Sequence, residues 1–398
     1  MLTLDKVREA AQILRPVIRE TELIAATNMS GANELYLKPE NLQVTGSFKI
    51  RGAYYKISTL TPEEKARGIV ACSAGNHAQG VALAARANNT KATIFLPATA
   101  PIYKIEATRG FGAEVRLVDG TYDDLYQAAF DFRDTAGAVL VHPFDDEDII
   151  TGQATIGLEI AENNFDIGAV VVPVGGGLAS GVAFAIKSLR PDCKVYGAQA
   201  AGAASMQHAI REKKCCGISS AATFADGIAV KTPGAKTFEI CSRYLDGVAS
   251  VTDDEIALAI LTLLERQKLV AEGAGAAAVA AVICDKIPEL RGKKVCAVIS
   301  GGNIDVNILS RVIHRGLLKS GRFSDLQIEL QDKPGQLESV ARIIARNGAN
   351  VTRVKHNHSG ENSGIKDCIL EISLETRDRA HLETIRKELA EEGYKTKG

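Results

Sequence analysis

GIVACSAGNHAQGVALAARAN, residues 68 to 88, decides the fold. A short apolar run, Ile69 to Cys72, breaks into a turn of small residues and then into an alanine-rich stretch with helical spacing, so the segment reads as strand, turn, helix. The unit recurs along the chain. KATIFLP precedes IYKIEATRGF and AEVRLVD precedes YDDLYQAAFDFRDT, with the alternation running from residue 65 to about residue 310. Strands joined through helices must cross over, which gives α/β architecture: parallel sheets with helices on both faces. Ligands of such sheets lie beyond the carboxyl ends of the strands. Three loops there are conspicuous: SAGNH after IVAC, GGGLASG after VVVPV, and SGGNID after VCAVI.

At 398 residues the chain exceeds one compact core of ordinary size. Its 47 basic and 48 acidic residues nearly cancel and form no long run of either sign. That balance argues against nucleic acid or a membrane surface as partner and points to a small molecule. Apolar runs such as AVVVPV (169 to 174) fall far short of the roughly 18 residues a bilayer span needs. The opening MLTLDKVREAAQIL spaces its charges like a helix and carries no signal core, so a cytoplasmic protein is expected. Eight scattered cysteines (72, 193, 215, 216, 241, 284, 296 and 368) read as buried reduced thiols. Cys215-Cys216 lacks metal-ligand spacing, and no metal is assigned.

The pattern changes at RGLLKSGRFSD (315 to 325), a polar joint. Beyond it LQIELQ alternates like a half-buried strand, LESVARIIARNG is amphipathic, VTRVKHNH and IKDCILEISLE alternate again, and HLETIRKELAEEG is a second helix. This is the ferredoxin-like order, with YKTKG left as a short closing strand.

Gly175-Gly176-Gly177, between a buried strand and a helix expected to start near Ser180, lets backbone N–H groups approach an anion at the positive end of a helix. Such a loop suits phosphate, although a tight ligand-free turn would look the same. Asn76 in SAGNH stands at a similar junction, where N–H donors suit a carboxylate and the side-chain amide suits a ring oxygen. Ser300 supplies a hydroxyl at a strand end, and TGSFKIRG (45 to 52) supplies Lys49. Taken together, these groups match the needs of pyridoxal phosphate: a lysine for its aldehyde, glycines for its phosphate and a hydroxyl for its ring nitrogen. Phe48 would lie flat near the ring.

NLQVTGSFKIRG (41 to 52), SAGNHAQG, GGGLASG, VAEGAGAAAVAA (270 to 281) and SGGNIDVNILSRVI, in that order, resemble the threonine dehydratase (L-threonine ammonia-lyase) branch of the tryptophan-synthase-β-like, fold-type II pyridoxal-phosphate enzymes. Residues 326 to 398, opening LQIELQDKPGQLESVARIIARNGANV, resemble an ACT domain, a small amino-acid-sensing module. The resemblance implies a catalytic domain over 1 to 318, with a mobile small subdomain at roughly 50 to 150, a linker at 319 to 325 and a regulatory domain to 398.

By the same resemblance, Lys49 is the lysine that condenses with the cofactor, and Phe48, Asn76, Gly175, Gly176, Gly177, Leu178 and Ser300 bind it. Ser73, Ala74, Gly75, Asn76 and His77 meet the substrate carboxylate. Gly335, Gln336, Leu337 and Asn350 would receive an effector amino acid. The implied activity is elimination of water and ammonia from L-threonine, and from L-serine, by a homodimer or homotetramer. The glycine loop has three glycines where that family usually has four. Related serine racemases carry a serine at the position of Ala74, and a metal-binding glutamate at that of Ala222 beside the retained Asp226. A 3-hydroxyaspartate ammonia-lyase shares nearly every motif, and a weakly catalytic amino-acid sensor is the alternative from another class.

Overall fold

The computed structural model describes residues 2–73, 75–163, 165–357 and 367–397. The described chain divides into two compact units, Met1–Val306 and Asn307–Gly398.

In the first unit the strands are β1 (Ile24–Ala25), β2 (Glu34–Pro39), β3 (Ile69–Cys72), β4 (Ala92–Pro97), β5 (Glu114–Val118), β6 (Val139–Leu140), β7 (Ala169–Pro173), β8 (Lys194–Ala200), β9 (Gly247–Val251) and β10 (Lys294–Ile299). They form two sheets, ordered β1-β2-β10-β7-β8-β9 and β5-β4-β3-β6. Every pairing is parallel except that of β1 with β2. All of AVVVP in β7 is buried, as expected of a central parallel strand covered on both faces.

Both sheets reverse direction of growth once. In the larger, β7 is flanked by β8 on one side and by the late strand β10 on the other. In the smaller, β3 is flanked by β4 and by the late strand β6. Chains leaving the carboxyl ends of strands at such a reversal diverge and open a crevice. Four loops therefore border crevices: those after β7 and β10, and those after β3 and β6.

The small sheet's core draws on Ile50, Ala53 and Ile57 of the helix Lys49–Ser58, on β3 and β4, and on Ile149. The helix Gly273–Ile283, GAGAAAVAAVI, is buried along nearly its whole length and packs against β7, β8, β9 and β10. Its small side chains let the backbone come close to its neighbours; a Cβ on Gly275 would collide with the Gly301 carbonyl.

Arg51 joins these parts. It is fully buried, with Nε and Nη2 each donating to Glu40 at 2.8 Å, Nη1 to Thr155 Oγ1 at 3.1 Å and Nη2 to Glu159 Oε2 at 2.9 Å. Lys38 of β2 completes the cluster by donating to Glu159. Two cations and two carboxylates balance, which is the condition for tolerating buried charge. Burial pushes Glu40 toward neutrality, but the Arg51 guanidinium overrides it and holds the carboxyl below its usual range.

The second unit comprises all but the first residue of the helix Val306–Lys319, then β11 (Phe323–Gln331), the helix Gln336–Arg346, β12 (Asn350–Asn357), β13 (Asp367–Glu375), the helix Arg379–Glu391 and β14 (Lys395–Lys397). Its antiparallel sheet runs β12-β13-β11-β14, the expected ferredoxin-like arrangement with the short closing strand in place. The polar joint is not a free linker. Residues 315 to 319 continue the helix Val306–Lys319, and Gly321, at φ 71°, turns the chain into β11. Among the eight cysteines, all free, Cys215, Cys216 and Cys284 are half-buried and the other five buried. No helix among the described residues is long and apolar enough to cross a membrane.

Replacing Arg51 with methionine leaves Glu40 buried and unpaired, at an expected cost of ~3–5 kcal/mol. Denaturant unfolding of the purified variant measures this, and a change below ~1 kcal/mol would show that the cluster adds little net stability.

Candidate active site

The four crevice loops line one cavity of about 900 Å³. From the loop after β3 come Ser73, Gly75, Asn76 and His77, and from the loop after β6 come His142, Pro143 and Phe144. Gly175, Gly176, Gly177 and Leu178 follow β7, and Ser300 follows β10. Phe48 and Lys49 reach the same space from the start of their helix. Ala74 lies outside the described residues.

Two helices with glycine at the N-cap, and so without a side-chain cap, begin at this cavity: Asn76–Ala87, with Gly75 at its N-cap, and Gly177–Leu189, with Gly176 at its N-cap. Away from the cavity the helices Pro62–Arg67 and Asp253–Thr262 open with threonine capping boxes. The cavity-facing ends therefore keep backbone N–H groups free for anions. The second helix starts at Gly177 rather than near Ser180, because Gly176 turns the chain at φ 131°, so the glycine loop itself supplies the first turn. A Cβ on Gly176 would press within 3.2 Å of the Phe144 ring and of Thr237 Oγ1, and one on Gly177 would come within 3.0 Å of the Phe144 carbonyl. Only glycine fits both the conformation and the space.

Lys49 Nζ donates to the Pro143 carbonyl at 2.7 Å and stands 5.3 Å from the centre of the Phe48 ring. Burial pushes its ammonium down to about 8, against the opposing pull of the Glu272 carboxylate. His77 is committed elsewhere: its ring Nε2 bonds the Val141 carbonyl at 2.9 Å, and burial drives its basicity down to about 3. The neutral ring thus donates, ties the loop after β6 to the helix, and leaves only the backbone N–H of His77 for a ligand. Ser73 Oγ accepts from Gly75 N–H at 3.3 Å, and the Ser300 carbonyl accepts from Phe48 N–H at 3.0 Å.

Two acids join the site, of which Glu272 was not expected. Glu272 is buried and accepts from Asn76 Nδ2 at 2.6 Å, and burial, then the neighbouring Asp226 charge, raise it to about 7. Asp226, also on the cavity wall, pairs with Lys104 at 3.0 Å. The acid within the apolar motif VAEGAGAAAVAA was the available signal for Glu272. In the second unit, Gly335 (φ 90°) precedes the helix opened by Gln336 and the exposed Leu337, while Asn350 donates to Glu375 at 2.9 Å.

An amine, two anion-binding helix ends and a strand-end hydroxyl in one cavity define a site for a phosphorylated aldehyde cofactor and a carboxylate substrate. A family model for pyridoxal-phosphate dependent enzymes matches residues 14–301, and the chain belongs to that family. It is similar to an L-threonine ammonia-lyase of Thermotoga maritima, 49% identical over 400 residues, covering 100% of this chain and 99% of the relative. An L-threonine ammonia-lyase of Geobacter sulfurreducens is 42% identical over 397 residues, covering 99% and 98%. Among solved structures, the processed form of threonine deaminase isoform 2 from Solanum lycopersicum aligns with a TM-score of 0.75 at 37% identity, covering 80% of this chain and 90% of that one. A serine racemase from Dictyostelium discoideum aligns at 0.71 and 36%, covering 77% and 99%. The cofactor of this family is pyridoxal phosphate, and the glycine cradle, which a Cβ would fill, and the buried amine of Lys49 fit it.

In cofactor-free protein the neutral, nucleophilic form of Lys49 should appear as pH rises through about 8, below the ordinary 10.5. Unfolding between those values takes up a proton at Lys49, so its contribution to stability grows as pH rises across that window. Mass-spectrometric acetylation rates against pH check this: Lys49 labelling should level off just above pH 8, and a rise continuing past pH 10 would contradict it.

Proposed function

We propose that the chain removes water and ammonia from L-threonine to give 2-oxobutanoate, and from L-serine to give pyruvate. The reading is carried by the Lys49 amine standing in one cavity with two glycine-capped helix starts. Similarity to L-threonine ammonia-lyases over the full length supports it.

In this reading the N–H groups of Gly175, Gly176, Gly177 and Leu178 hold the cofactor phosphate, Phe48 flanks the ring, Asn76 meets its 3-oxygen and Ser300 its nitrogen. When bound, pyridoxal phosphate supplies an electron sink that acidifies the bond to the substrate's α-proton. The chain's residues do the rest. The segment Ser73–His77 receives the substrate carboxylate, with the N–H groups of Asn76 and His77 at the helix start and the Ser73 hydroxyl as its donors, since Ser73 N–H is held by the Phe95 carbonyl and Gly75 N–H by Ser73 Oγ. Lys49 takes the α-proton on Nζ, a task suited to an amine whose proton affinity burial has brought near neutrality. Phe48 and Leu178, both buried, give the cavity an apolar wall beside that amine. Departure of the β-hydroxyl leaves an unsaturated amine, which tautomerises and releases ammonia in water.

Residues 326 to 398 act in this reading as an ACT domain. An effector amino acid's carboxylate is received at the turn before the helix Gln336–Arg346, by Gly335, Gln336 and Leu337, with Asn350 beside it, in a homodimer or homotetramer. The effector changes turnover only by binding two states unequally.

Release of 2-oxo acid from L-threonine, followed with a coupled dehydrogenase, should be robust in the wild type and reduced at least ~1000-fold in Lys49→Ala. Turnover of 3-hydroxyaspartate but not threonine would overturn the substrate assignment. A panel of free amino acids should include one that shifts the threonine saturation curve at least ~5-fold. Gly335→Ala, forced into a left-handed turn, should lose that shift; a response identical to wild type would remove the effector site from this turn.

A further inference from the structure

Glu272 has a bonding pattern that ordinary structural roles do not explain. It is the N-cap residue of the helix Gly273–Ile283, where an acid normally accepts the helix's own N–H groups, yet its side chain makes no capping bond. Among the described residues it forms no ion pair. The residue is only 5% exposed and lines the cavity. Burying a carboxylate costs free energy that a cap or a salt bridge would offset, and neither is present.

Room has been made for it. A Cβ on Gly301 would collide with Glu272 Oε1, so the first glycine of SGGNID serves this carboxylate. Glu272 N–H also donates to the Gly301 carbonyl at 3.0 Å, locking the two segments in register.

The hydrogen bonds then account for the Asn76 amide. Asn303 Nδ2 gives one N–H to the Thr45 carbonyl at 2.8 Å and the other to Asn76 Oδ1 at 2.7 Å. Asn303 is thus a pure donor toward Asn76, and Glu272, meeting Nδ2 at 2.6 Å, is a pure acceptor in its ionised form. Between them the amide has a single orientation: its oxygen is taken, one N–H is taken, and the second N–H is left to the cavity that Asn76 lines.

We propose that Glu272 and Asn303 are positioning residues that fix the Asn76 amide with a donor toward the cofactor's ring oxygen. The proposal rests on the reading that pyridoxal phosphate binds in this cavity beside Asn76. Released from either partner, the amide can turn its carbonyl to the ring oxygen, where two acceptors repel. Glu272 acts through Asn76.

The test is a double-mutant cycle on cofactor-free protein titrated with pyridoxal phosphate, reading the dissociation constant and the wavelength of the bound absorption band. Glu272→Gln keeps the shape but can present an N–H to Asn76. It should weaken binding about tenfold and shift the band. In an Asn76→Ala background the same substitution should change the constant by less than about twofold and leave the band unmoved. Thermal melts of the cofactor-free variants show that each is folded, and Glu272→Asp, which falls short of Asn76, takes the place of Glu272→Gln if the latter does not fold. Equal losses in both backgrounds, or wild-type binding and band in Glu272→Gln, would overturn the positioning role while leaving the cofactor assignment intact. A wild type that binds no pyridoxal phosphate would overturn both.

Discussion

The site depends first on a buried cation. Arg51, two residues beyond Lys49, is clasped by Glu40 from the turn after β2 and by Glu159 from the helix Glu147–Glu162, with Lys38 of β2 balancing the charge. β2 belongs to the larger sheet, while the helix Lys49–Ser58 contributes Ile50 and Ile57 to the core of the smaller. One guanidinium therefore ties the segment that delivers the amine to both sheets at once. Hydrophobic contacts alone would permit small slides of this helix. A forked set of hydrogen bonds to two carboxylates permits almost none, because each bond has a direction as well as a length.

With the amine fixed, topology supplies everything else around it. Each sheet reverses its growth once, and the loops on either side of each reversal line a single cavity. Anion-binding helix starts follow from the same arrangement, since a parallel strand leads into a helix whose first turn faces the crevice. Electrostatics follow from burial: Lys49 is driven toward its neutral form and Glu272 toward its protonated form by the same dry surroundings.

Much of this was legible in the sequence. The β-turn-α rhythm of residues 68 to 88 foretold the parallel sheets, and the loops SAGNH, GGGLASG and SGGNID pointed to where ligands would sit. The loop after β6 was missed: the apolar run AVLV (138 to 141) marks a strand, but His142–Phe144 carries no glycine-rich or polar signature of a ligand loop. Glu272 was hidden for a different reason. Its partner lies 196 residues away, and local pattern cannot report a bond between distant loops. The helix Val306–Lys319 was obscured by Gly316, which reads as a breaker in sequence but is buried in the finished helix.

The helix Gly273–Ile283 is built almost wholly from alanine, glycine and valine and lies between four strands on one side and the helix Asp253–Thr262. At Gly273 and Gly275 neighbouring backbone comes so close that an added methyl has nowhere to go. Such an element is brittle. A bulkier side chain at its glycines has to displace neighbouring backbone, so the tolerance of this molecule to change lies on its outer faces and not along this helix.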